Sequence, residues 1–126
     1  MPKSKTQTSK TKASKTRAAR SKPADFVIGN ESIAPGERMQ FELPGAKLYT
    51  HTPLNTPVEV IHGKKSGPTL LVCSAVHGDE LNGVEIIRRL RTLPELNSLV
   101  GTLVLVPVVN LHGFINQSRY LSLIHI

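Results

Sequence analysis

From Phe26 onward, apolar and polar positions fall into blocks that read as structural elements. Pro23, Gly29, Pro35 and Gly36 break the first stretch into short turns. Met39, Phe41 and Leu43 alternate with polar neighbours, the period of a half-exposed strand, which Pro44-Gly45 ends. Val58, Val60 and Ile61, after Pro57, predict a second strand closed by His62-Gly63, with a KKSGP loop following. Thr69 to Ala75 (TLLVCSA) is an almost continuous apolar run, the pattern of a strand covered on both faces. Past VHGDELNG, the residues Val84, Ile86, Ile87 and Leu90 recur at helical spacing, with Arg88, Arg89 and Arg91 on the other side. Asp79 and Glu80 lie before or in the first turn and the arginines near the end, the charge order that complements a helix dipole. Pro94 limits this helix or starts a new short element. Leu103 to Val109 (LVLVPVV) predicts a second buried strand, which Pro107 frays or ends.

Strand, helix and strand within about 40 residues make a βαβ unit and predict a parallel α/β core. Two polar segments, HGDE and NLHGFINQSRY, then leave the carboxyl ends of adjacent strands, the edge where open α/β sheets place ligands. In the first segment the three-residue spacing of His77 and Glu80 lets an imidazole and a carboxylate converge on one point. Both are zinc donors. The same pattern is also met by a strand-end histidine and an N-terminal helix charge. Asp79 either orients His77 through a hydrogen bond or caps the helix with its carboxylate. Asn110 shapes the strand-end turn. His51, His62 and His112 read as loop or surface residues, and Cys73, inside an apolar strand with no basic neighbour, as a buried inert thiol.

Charge changes the picture only once it is located. The chain of 126 residues carries a net +7, yet eight of its sixteen basic side chains and none of its nine acids lie in residues 1–22. The remainder, eight basic against nine acidic, sums to −1. Lys, Ser, Thr and Ala dominate that start, which has almost nothing apolar to bury, so residues 1–24 are read as a disordered basic tail. Such a tail can make non-specific contacts with a polyanion through residues 1–22. No aromatic is interleaved to stack on bases, and a nucleic-acid-binding body should itself be basic. No apolar core follows the charges to make a secretory signal, and no run is long enough to span a membrane. The single cysteine excludes an intrachain disulfide, and the cytoplasm is the compartment expected by default.

The stretch GPTLLVCSAVHGDELNGVEIIRRL resembles the first catalytic motif of the succinylglutamate desuccinylase/aspartoacylase family, relatives of the zinc carboxypeptidases. GTLVLVPVVNLHGFINQSRY resembles that family's next segment, and the resemblance covers roughly Val58 to Tyr120. It implies an α/β fold: a partial zinc-carboxypeptidase-like sheet, mixed or parallel, with covering helices, truncated after the first βαβ unit. It implies that His77 and Glu80 bind one Zn²⁺, and that Arg119 lies near the metal, polarises the scissile carbonyl and binds substrate with Asn110. Asp79 would support them from behind. A guanidinium suits that work because it stays charged and donates in a fixed direction. The implied activity is hydrolysis of the amide bond of a small N-acyl amino acid or a related substrate.

The resemblance also implies a third zinc ligand, a general base and an Asn-Arg substrate pair beyond Tyr120, and the sequence supplies none of them. The ending LSLIHI resembles the translation of a transposon-derived sequencing adapter, so residues 121–126 are read as non-native. On that reading residues 25–57 are N-terminal strands and turns, residues 58–120 the first part of a catalytic domain, and the parent an enzyme of which this chain is an inactive fragment. The competing class is a small nucleic-acid-binding protein acting through its tail, against which the charge of the body speaks.

Overall fold

The computed structural model describes residues 23–45, 47 and 51–119. The basic tail up to residue 22, Tyr120 and the LSLIHI ending lie outside the described residues. Two short strands, β1 (Phe26–Ile28) and β2 (Glu31–Ile33), pair antiparallel. Gly29 opens their turn with a positive φ of 60°, a conformation that glycine adopts without steric cost. The sequence reading resolved only turns here, because three-residue strands are too short to display a period.

A mixed four-stranded sheet follows, with order β3-β4-β6-β5. Its strands are β3 (Arg38–Leu43), β4 (Thr56–His62), β5 (Lys65–Cys73) and β6 (Val100–Val106). The β3/β4 and β4/β6 pairs are antiparallel, whereas β5 and β6 run parallel. Helix α1 (Leu81–Leu90) makes the crossover between those two, and a 3₁₀ turn, Pro94–Ser98, leads into β6. The βαβ unit and the alternation in β3 are therefore as the pattern predicts.

Side-chain alternation sorts two cores onto the two faces of the sheet. Ile33, Val58, Val60 and Val104 form one, against which Phe26, Ile28, Met39 and Phe41 pack. Ile61, Ile87, Leu103 and Leu105 form the other, beneath α1. Arg88 and Arg89 fall in the helix's last turn, as the dipole argument expects.

Several expectations need correction. Strand β5 begins at Lys65, so most of the KKSGP segment is strand rather than loop, with a register shift between Lys65 and Thr69. It is not covered on both faces: β5 is the outer strand of the sheet, and Leu70 and Leu71 are each 59% exposed. Cys73 is consequently exposed rather than buried. An apolar run signals a surface that wants cover, and among the described residues nothing lies beyond β5 to supply it. β6 ends at Val106, directly before Pro107, which lacks the N–H that a further ladder bond requires. His62 is 6% exposed and belongs to the core rather than to the surface. Its Nδ1 meets the Thr102 hydroxyl at 2.8 Å, its Nε2 meets the Ala24 carbonyl at 3.0 Å, and its ring lies tilted against Phe26.

Candidate functional site

The carboxyl ends of β5 and β6 continue side by side into two loops that hydrogen-bond to each other. Ser74 N–H donates to the Val106 carbonyl (3.1 Å), and Val109 N–H returns a bond to Ser74 O (3.0 Å). The Ser74 hydroxyl donates to Pro107 O at 2.6 Å, answering a carbonyl just past the strand end. Asn110 N–H donates to Ala75 O at 3.1 Å. Ala75 is 1% exposed and has φ 48°, an uncommon conformation for a residue with a Cβ. That local cost turns the chain out of β5 into the HGDE turn.

Asn110 begins the short helix α2 (Leu111–Ile115), and its Oδ1 accepts the Gly113 N–H at 2.9 Å. This is a cap, the turn-shaping role read from the sequence. Its Nδ2 is the buried side-chain atom left without a partner among the described residues. The side chain is thus spent inside the turn.

Here the four remaining predicted residues converge. Through Nδ1, which must carry the hydrogen because a carbonyl only accepts, the His77 ring donates to the Arg119 backbone carbonyl at 2.8 Å. Nε2 is left holding the lone pair. His77 N–H points to Glu80 Oε2 at 3.4 Å, and the turn is closed by Glu80 N–H to His77 O at 3.2 Å. The Arg119 guanidinium lies 3.8 Å from an Asp79 carboxylate oxygen and 4.0 Å from one of Glu80. Arg119 is 63% and each acid 45% exposed at the side chain, so these are solvent-screened ion pairs that orient more than they stabilise.

Asp79 does not cap α1. Glu80 occupies the cap position, no side chain caps the helix, and the Asp79 carboxylate faces Arg119. The His77 ring likewise bonds to the Arg119 carbonyl, not to Asp79. Among the described residues no group of three His, Cys, Asp or Glu side chains is placed to hold a metal ion. His112, in α2, accepts at Nε2 from the Asn116 amide, and His51 is exposed on a distant loop. Sequence reading passed over Ser74, Gly113 and Ser118, small residues where the loops meet.

Comparison with known proteins bears on the fold and on the segment that carries these loops. Residues 66–123 match the model of the succinylglutamate desuccinylase/aspartoacylase catalytic domain. The match runs three residues into the stretch read as non-native. A succinylglutamate desuccinylase/aspartoacylase from Rhodobacter sphaeroides superposes with TM-score 0.55 at 29% identity, over 68% of this chain and 26% of its own. The product-bound ectoine utilization protein EutE (DoeB) from Ruegeria pomeroyi gives TM-score 0.56 at 28% identity, over 68% of this chain and 26% of its own. An aspartoacylase family protein from Mesorhizobium loti, at 23% identity, shares the fold with TM-score 0.59 over 82% of this chain and 32% of its own. No curated protein matches. The fold and the matched segment are similar to part of the catalytic domain of that family. Residues 66–123, just under half of the chain, resemble that family's catalytic domain, and the chain spans between a quarter and a third of the length of these solved structures. No helix among the described residues is long and apolar enough to cross a membrane.

Proposed function

We propose that this chain carries part of the active centre of a zinc-dependent deacylase that cleaves the amide bond of a small N-acyl amino acid. The observation that carries the reading is the convergence of His77, Glu80, Asp79 and Arg119 at the carboxyl ends of two parallel strands. The donors fit zinc in kind, an imidazole nitrogen and a carboxylate on one turn, and they are two of the three that a catalytic zinc takes from protein. A third donor has to come from outside the described residues.

When bound, zinc would supply Lewis acidity and a water of lowered pKa. The chain's own residues do the rest of what can be derived. Glu80 offers a carboxylate held toward His77 by the turn. The Nδ1–H bond to Arg119 O fixes the His77 ring and leaves a single lone pair to offer. The Arg119 guanidinium, tethered loosely by Asp79 and Glu80, can release one N–H to a substrate carboxylate or to the oxygen of a polarised carbonyl. Its distances of 3.8 and 4.0 Å leave room for that exchange, which a tight bidentate pair would not. An N-acyl amino acid presents the matching groups, an amide carbonyl and a free carboxylate.

The test is zinc titration of the chain followed by NMR. The His77 ring and Glu80 carboxylate signals should move together, His77→Ala should abolish the response, and His51, His62 and His112 should stay fixed. A response centred on His51 or His112, or none at His77, rules the assignment out. Hydrolysis of N-acyl amino acids by the 126-residue chain itself is expected to be undetectable.

A further inference from the structure

The cluster depends on two loops lying closer than side chains would permit. A Cβ added at Gly78 would sit 1.9 Å from the Gly113 carbonyl oxygen, 2.0 Å from its carbon and 2.5 Å from Phe114 N. All three are backbone atoms, so nothing can rotate aside. A Cβ at Gly113 would lie 2.4 Å from Asn110 Nδ2 and 3.0 Å from Ser118 O. Neither glycine has a positive φ, unlike Gly29, Gly36 and Gly101. Their requirement is therefore room rather than conformation.

Hydrogen bonds close a ring around this contact. Gly78 N–H donates to Ser118 O at 2.9 Å, Ser118 N–H to Gly113 O at 2.8 Å, Gly113 N–H to Asn110 Oδ1 at 2.9 Å, and Asn110 N–H to Ala75 O at 3.1 Å. His77 directly precedes Gly78, and Arg119 directly follows Ser118. The glycine contact thus lies one residue from His77 and is linked to Arg119 through the two hydrogen bonds of Ser118.

We infer that Gly78 and Gly113 are a positioning pair, a backbone-on-backbone interlock that brings the Arg119 carbonyl onto the His77 ring and its guanidinium beside Glu80. Its significance for catalysis rests on the proposed deacylase reading, while the interlock itself can be tested apart from it. An alanine at Gly78 must force the loops apart until carbon and oxygen regain ordinary contact, a separation of more than about 1 Å, whereas one at Gly113 meets the Asn110 side chain first and disturbs the cap within its own loop. The Nδ1–H bond at 2.8 Å does not survive that movement. His77 then loses its fixed tautomer without any change in its own side chain.

The experiment is long-range ¹H–¹⁵N NMR of the imidazoles in the isotopically labelled chain. His62, held by Thr102 and Ala24 in the core, serves as the internal reference for an intact fold. In the unaltered chain His77 is expected to show the Nδ1–H tautomer and a through-space contact with the Ser118–Arg119 segment. In Gly78→Ala both signatures should be lost while the His62 pattern persists. A variant that keeps the His77 signature overturns the inference. So does an unaltered chain in which His62 is ordered and His77 averages between tautomers, and that measurement decides even if the alanine variant fails to fold. If zinc leaves His77 and Glu80 unmoved while the tautomer is fixed, the deacylase reading fails and the interlock stands. The opposite pattern separates the two in the other direction.

Discussion

Glu59 is a carboxylate in the middle of the sheet, 5% exposed, on the face that α1 covers. Arg38 from β3 and Arg91 from the end of α1 both pair with it, Arg91 at 2.9 Å, and Arg38 also donates to the Arg91 carbonyl at 2.8 Å. The triad therefore ties the end of α1 to β3 and β4, and so fixes the helix whose other end follows Glu80. Replacing Glu59 by Gln keeps the volume and one acceptor oxygen but turns an NH₂ toward a guanidinium. Breaking one partner out of a buried ion pair costs about 3–5 kcal/mol. The arginine side chains are 42% and 36% exposed and can recover part of their hydration, which places the expected loss near the low end, about 3 kcal/mol. Arg91→Met keeps the apolar stem and leaves Glu59 paired to Arg38, so the expected loss is about 1–2 kcal/mol. Urea denaturation followed by circular dichroism measures both, a lower midpoint at unchanged slope marking a pure stability change. The double variant should lose less than the sum of the singles by about 1 kcal/mol or more, because the two share one interaction. The reasoning is refuted if Glu59→Gln stays within about 1 kcal/mol of the parent, or if the two losses simply add.

Three further outcomes follow from other contacts. His62→Leu strands the Thr102 hydroxyl and the Ala24 carbonyl, so a loss of about 2 kcal/mol is expected; hydrogen exchange should quicken selectively in β1 and β2, and unchanged protection there would refute the clasp. Asn110→Ala gives up a cap bond worth about 1 kcal/mol but also removes the buried, unpartnered Nδ2, so its net cost by denaturation should stay below about 1 kcal/mol. At Glu85, hydrogen bonds from Arg88 and then Arg89 hold the carboxyl down to about 2, from an ordinary 4.5. Because the folded-state value is depressed, the pairing stabilises the helix fully above pH 4.5 and is lost as pH falls through about 2. The group is solvent-exposed, so the stability change is small and salt weakens it. A ¹³C titration midpoint near 4.5 in the unaltered chain would contradict the pairing.

How much of this was legible in the sequence depends on what each pattern encodes. The alternation Met39, Phe41, Leu43 identified β3 because one side of that strand meets the core and the other meets water. The helical spacing and the charge order gave α1, and the order of motifs placed HGDE and the Arg119 segment at one sheet edge. His62 was misread although the period was present: Val58, Val60 and His62 share a face in β4, and extending the alternation by one step puts the ring among Phe26, Val60 and the Thr102 hydroxyl. Residue type overrode register, when a histidine with two acceptable partners can sit in a core as readily as a valine. The contact between Gly78 and Gly113 had no one-dimensional signal, since it joins residues that only the parallel register of β5 and β6 brings together. The error over β5 has a different origin. A run such as TLLVCSA reports how much apolar surface a strand carries, and the burial of that surface is a property of its neighbours. β6, with β4 on one side and β5 on the other, buries all but the ends of its run, whereas β5, with an apolar run of its own, has among the described residues a partner on one side only. Two strands with similar apolar runs can therefore lie at opposite extremes of exposure, and topology decides between them.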